Sequence, residues 1–223
     1  VNEIDIIVPT IGRPHLIYPL MSNVAMTTPT NQYNITFVID VGDVNTQRVM
    51  NMVKGPVSFV VAEKRGYVHA TNLGVHATDA PLLALVNDDV VFHPGWYEEA
   101  IASLASWVSV IGTNDLSPHT AGGVNCTMPI LRRSYIDELG GNYKEPGNAY
   151  HEGYWHNFAE SELWHLAQHR RVARWVEECV IEHRHPDWGT APMDRTYEEG
   201  AKTGWDRDAA LYEERKSLWM SSL

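Results

Sequence analysis

The sequence predicts an α/β fold: a single domain with a mostly parallel, Rossmann-like central sheet flanked by helices. Three observations carry this. Short β-branched, apolar runs alternate with helical patterns through the first half of the chain, as expected of parallel strands joined by right-handed crossovers. Each run stops at a polar cluster, and open α/β sheets bind ligands beyond the C-terminal ends of their strands. The fourth run, residues 81–86, has no polar side chain and ends abruptly in Asn87-Asp88-Asp89, so it reads as a strand buried on both faces.

The first strand is expected over residues 4–8, ending at Pro9 and Thr10, and the second over 36–39, ending at Asp40. The third covers 57–61 and ends near Glu63 to Gly66; the fourth covers 82–86. Between them, residues 69–77 keep a helical pattern despite Gly74, although glycine costs about 1 kcal/mol in a helix interior. After the acidic motif, 94–107 reads as an amphipathic helix with Ala100, Ile101, Leu104 and Ala105 on one side and Pro94 in its first turn. The second half is rich in Gly, His, Tyr and Trp, notably over 150–156, which suits binding loops better than core. Residues 176–181 read as a strand, 186–205 as a loop, and 206–219 as a last helix.

The 223 residues and 44% hydrophobic content suffice for a real core. No apolar stretch approaches the roughly 20 residues of a membrane span, and no basic segment leads into an apolar one at the N-terminus. The chain is therefore expected to be soluble and cytoplasmic. Cys126 and Cys179 stand in unlike contexts and read as two reduced, buried thiols; without a CxxC, a zinc ribbon or thioredoxin-type site is excluded. A net charge of −11 argues against a broad footprint for nucleic acid or anionic lipid. The pairs Arg132-Arg133 and Arg170-Arg171 read as solvated helix faces.

Where a dinucleotide fingerprint would follow the first strand stands Pro9-Thr10-Ile11-Gly12-Arg13-Pro14, and no P-loop appears, which argues against an NAD enzyme or a P-loop ATPase. Two adjacent carboxylates at a buried strand end suit Mg²⁺ or Mn²⁺ escorting a phosphate. A polar turn into the next helix is the alternative.

Taken in order, these pieces resemble the family 2 glycosyltransferases of the GT-A fold, over residues 5 to about 185. The resemblance lies in Ile6-Ile7-Val8-Pro9-Thr10, in Asp40, in Arg65-Gly66 followed by Asn72-Leu73-Gly74, and above all in Asn87-Asp88-Asp89 with Pro94-Gly95-Trp96. It implies a nucleotide-sugar half over 1–112, an acceptor and catalytic half over 113–185, and a loop and C-terminal helix over 186–223. Pro9, Thr10, Asp40 and Arg65 would line the nucleotide pocket, with Arg13, Gly66 and Asn72 also contributing to it, and Asp88 would approach the ribose or a phosphate. Asp89 would ligate Mn²⁺ or Mg²⁺ between the donor's two phosphates, because a nucleoside diphosphate leaves well only when its developing charge is neutralised. A UDP-sugar is the favoured donor. Thr71 departs from the basic residue the family often carries before the helix Asn, and Arg65 or His69 would have to compensate.

By the same resemblance, 157–167 matches the family segment whose second acid deprotonates the acceptor; in register, that acid is Glu160. Helical geometry agrees, since Glu160 shares a face with Leu163, Trp164 and Ala167, whereas Glu162 lies with His165 and His169. Partial desolvation would raise the pKa of Glu160 toward a useful base. The structural alternative is a capping box, with Asn157 as N-cap and Glu160 three residues on. His183, which in an extended segment faces the same way as His185, is implied as a further metal ligand or diphosphate contact. Tyr154, Trp155, Glu162 and His185 are acceptor-side candidates; Trp164 and Trp175 read as core. His165 and His169 have ligand-like spacing but read as an exposed face, and Trp188 and Trp205 are candidates for a lid.

The implied activity is a metal-dependent, inverting transfer of sugar from a nucleoside-diphosphate sugar to a hydroxyl on a glycan, lipid, protein or small molecule. The acidic balance disfavours a nucleic-acid acceptor. A retaining enzyme on the same fold, or a non-catalytic module binding nucleotide-sugar or glycan, are the alternatives; a nucleotidyltransferase would want a more basic phosphate loop than Gly12-Arg13-Pro14.

Overall fold

The computed structural model describes residues 3–63, 66–200 and 204–221. They form one eight-stranded sheet with a hydrophobic cluster on each face. Strands β1 (Ile4–Thr10), β2 (Tyr33–Asp40), β3 (Val57–Ala62) and β4 (Leu82–Leu85) run parallel in the order β3-β2-β1-β4. Beyond β4 the sheet continues with β7 (Ile130–Arg132), β6 (Val110–Asn114), β8 (Ala173–His183) and β5 (Val90–Phe92). In this half β7 runs antiparallel to both its neighbours, β6 and β8 are parallel, and β5 is antiparallel to β8.

The alternation of β1 decides how the layers pack. Ile4, Ile6 and Val8 face one side, where α1 (Ile17–Thr27) brings Ile17, Leu20 and Val24 at helical spacing. Ile7 faces the other side with Val68 and Val75 of α3 (Gly66–His76). Each such aliphatic side chain stabilises the fold by roughly 1.5–3 kcal/mol through burial. Gly74 has a packing reason: a Cβ there would lie 2.5 Å from Ile7 Cγ2 and 2.8 Å from Val38 Cγ2, so glycine lets α3 approach the sheet. The remaining helices are α2 (Val44–Met50), α4 (Trp96–Ala102), α5 (Arg133–Leu139), α6 (Ala159–His169), α7 (Arg195–Gly200) and α8 (Trp205–Met220).

Several expectations are corrected. The helix expected over 94–107 is only α4, starting after a left-handed Gly95 and ending at Ala102. Beyond it the Arg132 guanidinium donates to the carbonyls of Leu104 (3.2 Å) and Val108 (2.8 Å) and holds the turn. Arg132, Arg133 and Arg170 are thus not on solvated faces, whereas Arg171 is exposed as expected. Arg133 donates to the carbonyls of Ala80 and Val75, and Arg170 to Gly140 O and the Tyr135 hydroxyl. The expected loop over 186–205 contains a 3-10 turn (Pro186–Trp188) and α7. Strand β8 is longer than its apolar run because a register shift opposite Thr113 and Asn114 lets one strand pair first with β6 and then with β5.

Cys126 and Cys179 are buried and free, as expected. Among the described residues no helix is long and apolar enough to cross a membrane.

Candidate functional site

The site forms where β1 and β4 end side by side. Asp88 follows the buried end of β4, and Thr10, the last residue of β1, donates its hydroxyl to Asp88 Oδ2 at 2.7 Å. Arg13, buried in the turn after β1, places Nη1 2.8 Å from Asp88 Oδ1 and 2.7 Å from Asp89 Oδ2. The same guanidinium pairs with Asp194 through Nε (2.8 Å) and lies over the Tyr197 ring, 4.5 Å from its centroid. Tyr197 in turn donates to Asp89 Oδ2 at 2.6 Å. The first turn of α7 therefore sits directly on the acid pair, although nothing in the 186–205 sequence marks it: Asp194 and Tyr197 have no periodic apolar context around them.

The two acids differ in environment, as the alternation of an extended segment implies. Burial and the charge of Asp89 push Asp88 above the ordinary carboxylate range, with Arg13 opposing them. Burial also pushes Asp89 upward, but the hydrogen bond and charge of His183, with Arg13 and Tyr197, outweigh it and hold Asp89 low. His183 arrives because β8 pairs with β5 in a register that sets it opposite Val90. Its Nε2 lies 3.2 Å from Asp89 Oδ1 and 3.3 Å from Asn87 Nδ2. Asp89 Oδ1 is buried and faces the His183 imidazole, while Oδ2 is taken by Arg13 and Tyr197. A buried hard-cation ligand atom thus stands beside an imidazole nitrogen.

Two ligands separated in this way suit a small octahedral cation, whose neighbouring ligands at 2.0–2.1 Å from the metal stand about 3 Å apart. Among the described residues no third His, Cys, Asp or Glu completes a metal cage. That donor set resembles a Mg²⁺-type site finished by water and substrate phosphates rather than an all-protein one.

Other expected pocket residues fall differently. Pro9 and Asp40 do stand at the ends of β1 and β2, with Asp40 Oδ1 accepting from Gly42 N at 2.7 Å. Arg65 lies outside the described residues. Asn72 is corrected: it is buried, donates to Tyr150 O and Glu152 Oε1, both at 2.8 Å, and accepts from Tyr150 N. It clamps the 150–152 turn and has no amide face left for a nucleotide. His69 is paired through Nδ1 with Glu152 at 3.1 Å. Gly66 has φ +87°, and a Cβ on it would lie 2.5 Å from the Trp155 carbonyl, so close packing of two turns accounts for this glycine.

Glu160 lies in the first turn of α6. The helix starts one residue after Phe158, which is left-handed at φ +64° and makes no side-chain cap. The capping box is therefore absent, and Asn157 lies outside the helix. Glu160 Oε2 is buried with no hydrogen-bond partner. Burial pushes its pKa up to about 7, opposed by its own backbone N–H, raised further by the charge of Asp208 and lowered by His183. Tyr150, near enough for the Glu160 charge to act on it, also has a buried hydroxyl.

The acceptor-side candidates need correction. Glu162 is fully buried, with Arg215 donating from Nε at 2.7 Å and Nη2 at 2.8 Å, and Tyr154 OH at 2.8 Å. Tyr154 is thus a core residue rather than a sugar platform. Trp155 is half-buried and donates its backbone N–H to Asp208. His165 and His169 are not exposed, because α8 covers that face: His165 meets Tyr212 OH at 2.7 Å, and His169 packs on Trp219. His185 faces the same way as His183, ring centroids 5.2 Å apart, and packs edge-on against Tyr197, which places it at the acid pair.

The chain matches the family model "Glycosyl transferase family 2" over residues 5–139. No curated protein matches it. Among solved structures it is similar to the mannosyltransferase PcManGT from Pyrobaculum calidifontis in complex with GDP-Man and Mn²⁺, with TM-score 0.65 and 14% identity. That match covers 88% of this chain and 59% of the other, so the chain spans well under two thirds of that relative. Glucosyl-3-phosphoglycerate synthase from Mycobacterium tuberculosis, with Mn²⁺, UDP-Glc and phosphoglyceric acid, gives TM-score 0.63 at 12% identity over 96% of this chain and 79% of that one. S. aureus TarS 1-349 gives 0.57 at 12% identity, over 83% and 62%. A family model covering more than half of the chain, on a sheet shared with these structures, shows that the chain belongs to the family 2 glycosyltransferases and has the GT-A fold.

Proposed function

We propose that this chain is a metal-dependent glycosyltransferase that moves a sugar from a nucleoside-diphosphate sugar to an acceptor hydroxyl with inversion. The observation that carries the reading is the buried Asp89 Oδ1 beside His183 Nε2 after the end of β4, together with the buried, unpartnered Oε2 of Glu160. Two relatives on this fold hold Mn²⁺, one with GDP-Man and one with UDP-Glc, which supports a nucleotide-sugar donor without choosing its base.

Asp89 and His183 would hold the cation. When bound, it neutralises the charge that develops on the leaving diphosphate. The rest is done by the chain. Thr10 and Arg13 hold Asp88 at the pocket wall, and Arg13 brings positive charge to the phosphate side. Glu160, with its pKa at about 7, takes the proton from the acceptor hydroxyl as that oxygen attacks the anomeric carbon from the face opposite the leaving group. Burial keeps water away from Glu160 Oε2 and leaves its lone pair free for that proton.

Titration calorimetry with GDP-mannose and UDP-glucose, each with Mn²⁺ and with EDTA, tests the reading. One of them should bind more tightly with Mn²⁺. Equal affinity in both conditions for both donors would overturn the metal site, and the anomer of any transfer product decides between inversion and retention.

A further inference from the structure

We propose that Asp208, on the C-terminal helix, is a positioning residue: its carboxylate gathers three successive backbone N–H groups and so fixes the turn from which α6 presents Glu160. The proposal rests on Glu160 being the base. Asp208 is fully buried. Asp208 Oδ2 accepts from Trp155 N at 3.2 Å, His156 N at 3.0 Å and Asn157 N at 2.9 Å, and Oδ1 accepts from Trp155 N at 3.1 Å. Consecutive N–H groups converging on one point form an anion nest, and here the anion is supplied by the chain itself.

The rest of α8 grips the same segment. Arg207 donates to Gly153 O at 2.6 Å, the Phe158 ring packs between Trp205 (4.9 Å) and Tyr212 (5.7 Å), and Arg215 holds Glu162. Residues 205, 208, 212 and 215 lie at helical three- and four-residue spacings, so one face of α8 carries Trp205, Asp208, Tyr212 and Arg215, with Arg207 beside it. On its other side the turn meets α3, where Gly66 leaves room for the Trp155 carbonyl. Phe158 then needs a left-handed backbone that L-residues rarely adopt, and α6 begins at the next residue. Asp208 is the group that takes the N–H donors of 155–157 directly, and Glu160 is only two residues beyond Phe158. Helix α8 lies outside the segment that matches the family model, so this anchor belongs to the chain's own C-terminal part.

Asp208 also acts on Glu160 through its charge. The other ionisable groups around Glu160 are Tyr67 on α3, Tyr150 on the preceding turn, Cys126 and, from β8, His183. Of these, Asp208 and His183 shift Glu160, in opposite directions.

The test compares Asp208→Asn and Asp208→Glu with the parent in three measurements. These are amide exchange at residues 155–157, the titration midpoint of the Glu160 carboxyl carbon by NMR, and Mn²⁺-supported hydrolysis of GDP-mannose and UDP-glucose. Asn offers one acceptor oxygen and turns an NH₂ toward N–H donors, so exchange at 155–157 should accelerate roughly 10- to 100-fold, the worth of a hydrogen bond to a charged group. The Glu160 midpoint should fall, and kcat should drop about tenfold or more while KM for donor stays within about twofold. Glu keeps the charge but is one methylene too long, so kcat should fall with the midpoint nearly unmoved; this variant carries the test if Asn does not fold. Parental exchange at 155–157 in the variants, or parental kcat in either, would overturn the proposal. If instead Glu160→Gln hydrolyses donor as the parent does while the Asp208 variants loosen the turn, the base assignment fails and the anchor stands.

Discussion

His183 Nε2 stands 3.2 Å from Asp89 Oδ1, and the antiparallel pairing of Val90 with His183 holds the two together. The strand that returns from the second half of the chain delivers an imidazole to the strand end that carries the acids. If this is a metal site, Asp89→Ala should abolish the dependence of donor binding on Mn²⁺. The loss should exceed the roughly 10- to 100-fold that removal of an outer-shell partner costs at such sites. Calorimetry in Mn²⁺ and in EDTA reads it directly.

His183→Ala should weaken Mn²⁺-supported donor binding, whereas His165→Ala and His169→Ala should leave it unchanged. Those two lie under α8, so their cost should appear in thermal stability instead. Equal titrations for His183→Ala and the parent would remove His183 from the site.

Glu160→Gln should abolish transfer, by roughly 10²–10⁴-fold, with donor affinity retained. The parent's rate should rise with pH through about 7 as Glu160 ionises. The linkage has a definite sign. A carboxyl raised from its ordinary 4.5 to about 7 binds more protons folded than unfolded, so the parent loses stability as pH climbs across that window. Glu160→Gln removes that loss and should be more stable than the parent at pH 8, by on the order of 3 kcal/mol at most. Urea unfolding of both proteins at pH 4.5 and 8 measures the difference; a gap that does not grow with pH contradicts the buried carboxyl.

Glu162→Gln should behave in the opposite way. It leaves Arg215 buried against a neutral partner, and breaking one side of a buried pair costs roughly 3–5 kcal/mol. The midpoint of unfolding should fall sharply, while any protein that remains folded should keep its donor affinity.

The parallel half of the sheet, the acid pair at its edge and the candidate base are legible in the sequence because each is written in local pattern. Residues 81–86 are apolar without interruption, and the carboxylates follow immediately. The mixed half is only partly legible: residues 176–181 of β8 read as a strand, but β5 and β7 are three residues each, too short to show a period. The helix-face argument separated Glu160 from Glu162 for an incomplete reason. It treated the second face of α6 as solvent, but α8 covers it and pairs Glu162 with Arg215, 53 residues away. Asn72 was misread in a similar way, since its motif position says nothing about Tyr150 and Glu152 occupying its amide.

By itself, then, the sequence determined the strands of the parallel half and which carboxylates stand at strand and helix ends, because periodicity and strand-end chemistry act over a few residues. Only the tertiary structure decided which of those groups are already spoken for. Arg13 between Asp88 and Asp89, Tyr197 on Asp89, and Asp208 under the 155–157 turn all join residues more than 50 positions apart. A buried polar atom takes whichever partner the packing of distant elements brings within reach, and no local pattern records which one that is.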